Sequence, residues 1–253
     1  MAEDLKAYAS EFFGTAILMI AGISAVSLNF GEQAYLASLI PNETVRLALA
    51  GAGFGLGVVV VVYSALGQTS GGHLNPALTI AFWMQGKIET KKLAPYIASQ
   101  CLGSLAGTWI VAMMLPTLSS SVGHGVTSVA EGISSGVAIL LEALLVMILI
   151  IMIFWMTACH DRSRYTGLAV LIYLMIFVPL VAPLTGTSVN PARSIGPAVY
   201  SGNYTNLFVY LVGPLTGAVA GTLIARHILH HQPKCKRVCG LPKSKMLNGE
   251  CID

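Results

Sequence analysis

Six long apolar segments alternate with polar stretches along the chain of 253 residues. Each segment is close to the roughly 20 residues that an α-helix needs to cross about 30 Å of hydrocarbon. The pattern therefore predicts six membrane-spanning helices. The predicted ranges are 8–28, 47–67, 94–115, 134–156, 167–184 and 207–229.

Two shorter apolar pieces remain, over 75–84 and 190–200. At 1.5 Å per residue each would form a helix of roughly 15 Å, which is too short to cross a membrane alone. Two such half-helices placed end to end add up to one crossing. Each half of the chain has three crossings with a short piece after the second. Because three is an odd number, the second half starts on the opposite side of the membrane from the first. The halves are therefore expected to form an inverted repeat.

The fold class predicted is an all-α membrane protein with six transmembrane helices plus two half-helices. The first repeat is expected over 1–115 and an external connecting loop over 116–133. The second repeat is expected over 134–230, followed by a cytosolic basic tail over 231–253.

Composition and charge agree with a membrane location and orient the chain. Charged residues make up only 10% of it, whereas soluble globular proteins carry about 25%. Of the 14 Lys and Arg residues, all except Arg46 and Arg193 fall on the side of the two termini, which the positive-inside rule makes cytoplasmic. We expect a multi-pass protein of the plasma membrane, with glycosylation sequons at Asn42 and Asn203 on external segments.

The sequence Asn-Pro-Ala begins both half-helices. Asn is a favoured N-cap and Pro is a favoured first helical residue. In an inverted repeat the two N-termini would meet near the membrane centre, where about half a positive charge on each would repel cations. Two ordinary helix caps are the alternative, but the matching positions in the two halves favour a pore. The residues are Asn75, Pro76, Ala77, Asn190, Pro191 and Ala192.

The residues before each half-helix must be non-helical. Such backbone is tolerated at this depth only where its polar groups face protein or water, and carbonyls that line a narrow water path would meet that need. His73 lacks the companions of a metal site, so we interpret it as a polar pore or packing residue at the cytoplasmic vestibule. The two stretches are Gly71, Gly72, His73 and Gly186, Thr187, Ser188.

Three charged residues fall within the membrane-embedded part. Glu11 and Glu142 occupy equivalent positions in the first and fourth crossings, where a buried carboxylate needs partners. They could form a proton relay, or accept hydrogen bonds from the non-helical backbone. Arg193 could form a structural salt bridge. Because no acid is near it in sequence, we favour a donor at the external constriction that repels cations.

These motifs resemble those of the aquaporin family, the major intrinsic proteins, over about residues 8–230. The resemblance is carried by 71-GGHLNPALT-79, by 186-GTSVNPARS-194, by the Glu in 10-SEFFGT-15 and by Glu142. It implies a homotetramer in which each subunit has one pore that conducts water or small uncharged solutes passively. It also favours the hydrogen-bonding role for both glutamates.

The resemblance further implies a narrow filter, formed by Arg193, Thr187, Val178 and Gly55 or its neighbour Phe54. Water-selective members of the family usually carry Phe and His at the positions in the second and fifth helices. Here Val178 replaces the His, and Gly55 falls where Phe is expected unless the helix shifts by one residue. Both changes would widen the constriction and make it less polar, which favours solutes larger than water.

Other positions indicate the opposite selectivity. Glycerol facilitators usually carry Asp after the filter Arg, whereas this chain has Ser194, and Ala198 is as in water channels. Leu211, in contrast, is closer to the pattern of glycerol facilitators, so the positions give mixed signals. We therefore expect a channel for water that also passes small uncharged solutes. The alternatives are a facilitator of glycerol, urea or hydrogen peroxide with water as a secondary permeant, and a non-conducting junctional protein.

Other function classes are disfavoured. A secondary transporter would need coupling-ion ligands, and only two buried acids are visible. An enzyme is least expected, because no nucleophile–base pair or metal cluster appears in the sequence. No cofactor, metal or nucleic acid is expected. The expected partners are water, small neutral solutes, the lipid bilayer and further copies of the chain.

Overall fold

The structure, a computed structural model, describes residues 2–230. All of the regular secondary structure in that range is helical. A short 3-10 turn covers Gly123–Gly125. The α-helices are α1 (Ala2–Phe30), α2 (Tyr35–Leu39), α3 (Glu43–Tyr63), α4 (Ala65–Ser70), α5 (Pro76–Met84), α6 (Thr90–Met114), α7 (Pro116–Ser121), α8 (Ser135–Thr157), α9 (His160–Ser163), α10 (Thr166–Thr185), α11 (Pro191–Ser201) and α12 (Leu207–His230).

Six of the described helices, α1, α3, α6, α8, α10 and α12, are long and apolar enough to cross a membrane. The prediction of six crossings is thereby confirmed. Helix α1 begins at Ala2, earlier than the predicted residue 8, and has Glu3 and Asp4 in its first turn. Acidic side chains there stabilise a helix N-terminus through its dipole, so the polar start still belongs to the helix.

The segment 47–67 was predicted as one helix, and this was wrong. The chain leaves the helical conformation at Ser64, which has φ −89° and ψ 174° and caps α4 through a hydrogen bond from Leu66 N to its Oγ (3.2 Å). At the other end, Asn42 caps α3 by accepting a hydrogen bond from Val45 N (3.1 Å). Because of these two polar caps, α3 begins and ends earlier in the chain than the predicted segment, and α4 is a separate helix.

Close packing through glycine pairs the long helices in the same way in both halves. Helix α1 packs against α6, where a Cβ atom on Gly103 would lie 2.2 Å from the carbonyl oxygen of Phe12. Helix α8 packs against α12, where a Cβ atom on Gly217 would lie 2.2 Å from the carbonyl oxygen of Ala143. Helices α3 and α10 pack against each other and join the halves.

The connecting segments gather at two opposite ends of the helices. At one end, Glu32 N donates to Ser121 Oγ (2.8 Å), so the segment after α1 meets the segment after α6. The exposed sequon residues Asn42 and Asn203 also lie beyond helix ends. At the other end Lys92 pairs with Asp4 (2.7 Å). The predicted basic tail, 231–253, lies outside the described residues.

Replacing Gly217 with Leu should separate α8 from α12, because the obstructing atom is backbone and cannot rotate away. We expect the free energy of unfolding to fall by at least about 2 kcal/mol. Thermal unfolding in detergent and elution as a single species would measure the loss. Gly136→Leu in α8 is the control, since a Cβ atom there meets nothing within 4 Å. Equal behaviour of both variants would contradict the packing argument.

Candidate functional site: a pore between two half-helices

Each half-helix begins at an asparagine cap in the interior of the protein. Asn75 Oδ1 accepts a hydrogen bond from Ala77 N (2.9 Å), and Asn190 Oδ1 accepts one from Ala192 N (3.0 Å). Both caps have extended backbone and are followed by Pro at the first helical position. These are the conformations that an N-cap and a first-turn Pro require. The Ala side chains are fully buried and, like the Pro residues, do not line the cavity described below.

The two caps also hold the half-helices together. Asn75 Nδ2 donates to the carbonyl oxygen of Val189 (3.0 Å), and Asn190 Nδ2 donates to the carbonyl oxygen of Leu74 (2.8 Å). Each asparagine therefore bonds to the residue that precedes the other asparagine. An amide nitrogen carries two hydrogens, so this bond leaves one N–H on each side chain for a molecule inside the cavity.

Glu11 satisfies the non-helical backbone before α5. Its two carboxylate oxygens accept hydrogen bonds from His73 N (3.0 Å) and Leu74 N (2.8 Å). Gln100 Nε2 donates to the same carboxylate (2.7 Å) and lies 2.8 Å from Thr79 Oγ1. The carboxylate is fully buried, so these bonds replace the water that it would otherwise need.

Glu142 does the same before α11. Its oxygens accept hydrogen bonds from Ser188 N (2.9 Å) and Val189 N (2.8 Å). The third donor differs, because it is the hydroxyl of Thr185 (2.8 Å) rather than an amide. The hydrogen bonds to both glutamates are therefore those of the backbone-supporting alternative in the sequence analysis.

Two tyrosines that the sequence analysis missed add a further equivalent pair. Tyr96 Oη donates to the carbonyl oxygen of Ser70 (3.0 Å), and Tyr210 Oη donates to that of Thr185 (2.9 Å). Both acceptors are the last helical residue before a non-helical stretch. The signal was present in the sequence, because each tyrosine lies the same distance before a packing glycine, Gly103 or Gly217.

The non-helical stretches share an unusual backbone. Leu74, Thr187 and Val189 have φ values of 54°, 47° and 58°, and Gly72 has 61°. Left-handed conformations are uncommon for residues with a side chain, and cost on the order of 1–3 kcal/mol each. The positions correspond between the halves, since Gly72 and Thr187 each lie three residues before an asparagine cap. The hydrogen bonds that this backbone donates to the two buried carboxylates hold it in place.

A cavity of about 480 Å³ extends along the non-helical stretches. It reaches from Phe30 and Leu47 at one end to Ser163 and Thr166 at the other. The cavity is therefore elongated between the two ends of the helices. Its lining includes Gly71, Gly72, His73, Asn75, Gly186, Thr187, Ser188 and Asn190.

The four residues predicted to form the filter, called the narrow group below, all line the cavity. The guanidinium carbon of Arg193 lies 4.9 Å from the ring centroid of Phe54, and Arg193 Nη1 donates to the carbonyl oxygen of Gly125. Val178 and Thr187 also line the cavity. The hydroxyl of Thr187 is buried and has no hydrogen-bond partner among residues 2–230. The narrow group therefore contributes one cation, one hydroxyl and two apolar side chains to the lining.

The structure places Phe54, and not Gly55, on the cavity wall. A Cβ atom on Gly55 would lie 2.5 Å from Leu171 Cδ1, so this glycine serves the contact between α3 and α10. Of the two candidates that the sequence analysis left open, Phe54 is therefore the one that lines the cavity. The count back from Asn75 that leads to Gly55 crosses Ser64, where the chain leaves the helical conformation.

His73 is a packed lining residue of the cavity. Its ring stacks on Phe82, with centroids 4.6 Å apart and an interplanar angle of 11°. Its Nδ1 lies 3.3 Å from the hydroxyl of Thr79. Over residues 2–230 no group of three or more His, Cys, Asp or Glu side chains could hold a metal.

A chain of hydroxyls lies behind the arginine and was also missed. Ser194 Oγ is 2.7 Å from Thr127 Oγ1 and 2.7 Å from Ser188 Oγ. Ser188 Oγ in turn donates to the carbonyl oxygen of Asn190 (3.1 Å). Thr127 belongs to the connection between the two repeats, and no local motif connects it with α11. The chain ties that connection to the non-helical stretch before α11.

Known proteins share this architecture. The sequence profile described as Major intrinsic protein matches residues 1–225. The chain belongs to that family. It is 34% identical to Aquaporin-4 of Mus musculus over 236 residues, covering 92% of this chain and 70% of that protein. It is 34% identical to Aquaporin NIP1-1 of Zea mays over 214 residues, covering 84% and 71%.

The fold is also similar to that of a solved structure. The X-ray structure of the aquaglyceroporin from Plasmodium falciparum superposes with a TM-score of 0.74 at 21% identity, covering 90% of this chain and 96% of that one. The aquaporin-like fold predicted from the sequence is confirmed. As a member of this family, the chain is an integral multi-pass membrane channel for water or small solutes, and it is not an enzyme.

Replacing Glu142 with Gln should weaken the support of the second half-helix. The amide would present a donor to a backbone N–H that now has an acceptor, and an unsatisfied buried N–H costs about 1–3 kcal/mol. We expect lower thermal stability in detergent and lower water permeability in proteoliposomes. Glu131→Gln, at an exposed position outside the helices, is the control. A stable Glu142→Gln variant that lost only proton-coupled flux would instead support the relay.

Proposed function

We propose that the chain is a passive channel for water that also passes small uncharged solutes and excludes ions. The cavity lining carries the proposal, because it joins polar backbone and two Asn amides with a narrow group at Arg193. Water can exchange hydrogen bonds with these groups along the path. The described part of the chain contains no set of buried acids that would suggest ion coupling beyond Glu11 and Glu142, both of which are occupied by backbone donors.

Exclusion of cations is supported by the fixed positive groups along the path. Within residues 2–230 no carboxylate forms a salt bridge with Arg193, so the alternative of a structural ion pair loses support. The N-termini of α5 and α11 add two partial positive charges at the asparagines. A cation would therefore lose hydration and meet repulsion at the same points.

Passage of solutes larger than water is supported by the walls of the narrow group. Val178 presents an aliphatic side chain where a His would add bulk and a donor, and Phe54 forms the other wall. A carbon backbone of a small polyol can contact these walls while its hydroxyls face Arg193 and Thr187. The names of the relatives, which include aquaporins and an aquaglyceroporin, are compatible with either permeant.

The assembly and orientation are also proposed. We propose a homotetramer in the plasma membrane, with both termini cytoplasmic and with Asn42 and Asn203 external. Large apolar side chains exposed on α6 and α10, among them Leu102, Ile172 and Leu180, provide surface for lipid or for neighbouring copies. Asn203 is exposed, although its Oδ1 accepts a hydrogen bond from Thr205 N (3.0 Å).

Stopped-flow light scattering on proteoliposomes tests the proposed permeants. We expect fast shrinkage in sucrose, followed by measurable re-swelling in glycerol, urea and hydrogen peroxide. Val178→His should reduce glycerol entry by at least about tenfold, since one added group in an apolar constriction has an effect of this order. Water flow should fall much less.

Val178→Ala is the matched comparison, because it enlarges the same position and should raise glycerol entry. A wild-type protein that shrinks fast but admits no solute would contradict the broader permeability. A folded protein without any flux above empty vesicles would favour the non-conducting junctional alternative.

The position of Thr187 can be tested by thiol chemistry. Its free hydroxyl lies on the cavity wall, so Thr187→Cys should place a thiol in the water path. In a Cys101→Ser background, which removes a free cysteine, we expect a mercurial to block water flow through the Thr187→Cys protein. The parent without the new cysteine should respond weakly. Equal inhibition of both proteins would argue against a lining role.

A further inference from the structure

The ring of Phe54 rests in a recess of helix α1. A Cβ atom placed on Gly22 would lie 2.1 Å from both Cδ1 and Cε1 of this ring. Carbon atoms in van der Waals contact are about 3.5–4.0 Å apart. The ring therefore occupies space that any side chain at position 22 would need.

The ring also lines the cavity, as does Arg193. The guanidinium carbon of Arg193 lies 4.9 Å from the ring centroid. Towards α1, Phe54 packs against two buried apolar clusters, one that includes Leu18 and one formed by Met19, Ile23 and Val111. A ring displaced from Gly22 therefore has closely packed side chains behind it and open space only on the side of the cavity.

We propose that Gly22 is a positioning residue that sets the solute selectivity of the channel. Because it has no side chain, the aromatic wall lies back against α1 and leaves room beside Arg193 for a solute wider than water. A methyl group at position 22 would move the ring towards Arg193 and narrow the passage. This inference rests on the proposed function, since it concerns the width of the proposed filter.

The test compares the wild type with Gly22→Ala, Phe54→Ala and the double variant in proteoliposomes. We expect Gly22→Ala to lower the ratio of glycerol to water permeability by at least about tenfold, as one added group in an apolar passage does. Removing the ring removes the three atoms that lie nearest to the added methyl group. In the Phe54→Ala background, Gly22→Ala should therefore change the ratio by less than about twofold, the usual scatter for independent sites.

Gly53→Ala is the matched control. It adds a methyl group at the same contact between α1 and α3, where a Cβ atom would lie 2.2 Å from Ala25 Cβ and 3.0 Å from the carbonyl oxygen of Ala21. It should leave the permeability ratio unchanged. A similar loss of the ratio in Gly53→Ala, or a Gly22→Ala effect that persists without the ring, would overturn the proposal.

Thermal unfolding of the same proteins in detergent gives a readout that does not depend on transport. Gly22→Ala should lower the unfolding temperature, and Phe54→Ala should suppress that loss. If Gly22→Ala alone does not fold, the double variant should give a folded protein. A double variant that also fails to fold would contradict the proposed contact between Gly22 and the ring of Phe54. A wild type without flux would contradict the proposed function alone, because the unfolding comparison still tests the contact.

Discussion

The arrangement depends on two buried carboxylates that accept hydrogen bonds from four backbone N–H groups. A chain that interrupts a helix in the middle of a membrane exposes polar backbone where no water can reach it from the lipid side, and each unsatisfied group costs several kcal/mol. Glu11 and Glu142 meet that demand from one side of the backbone. The other side is then free to line the cavity, so the same bonds that allow the interruption also create the path.

The two halves share this solution but differ in the side chains placed on it. The third donor to the carboxylate is Gln100 in the first half and Thr185 in the second. Arg193 lies three residues after its asparagine cap, where the first half has Leu78, which also lines the cavity. A common backbone thus carries a cation after one asparagine cap and an aliphatic side chain after the other. The barrier to ions is accordingly expected to be asymmetric along the pore.

Much of the fold could be predicted from the sequence because its signals are local. The lengths of the apolar segments and the caps at Asn75 and Asn190 depend only on neighbouring residues, and they indicated the helices and half-helices found here. The partners of Gln100 and Thr127 could not be predicted in this way. Their hydrogen bonds join segments that are far apart in sequence, and nothing in the local pattern distinguishes them from ordinary polar residues in a helix or loop.

The identity of the filter aromatic shows why motif counting is insufficient for selectivity. Position 55 is found by counting from Asn75, but the count crosses Ser64, where one helix ends and another begins. In the structure Phe54 lines the cavity and Gly55 packs against α10. A role for Gly22 is even harder to predict from motifs, since its effect depends on the ring of Phe54, which approaches it across the contact between α1 and α3. The width of the passage is therefore a property of helix packing, and chains with the same motifs can differ in permeant through residues that never touch it.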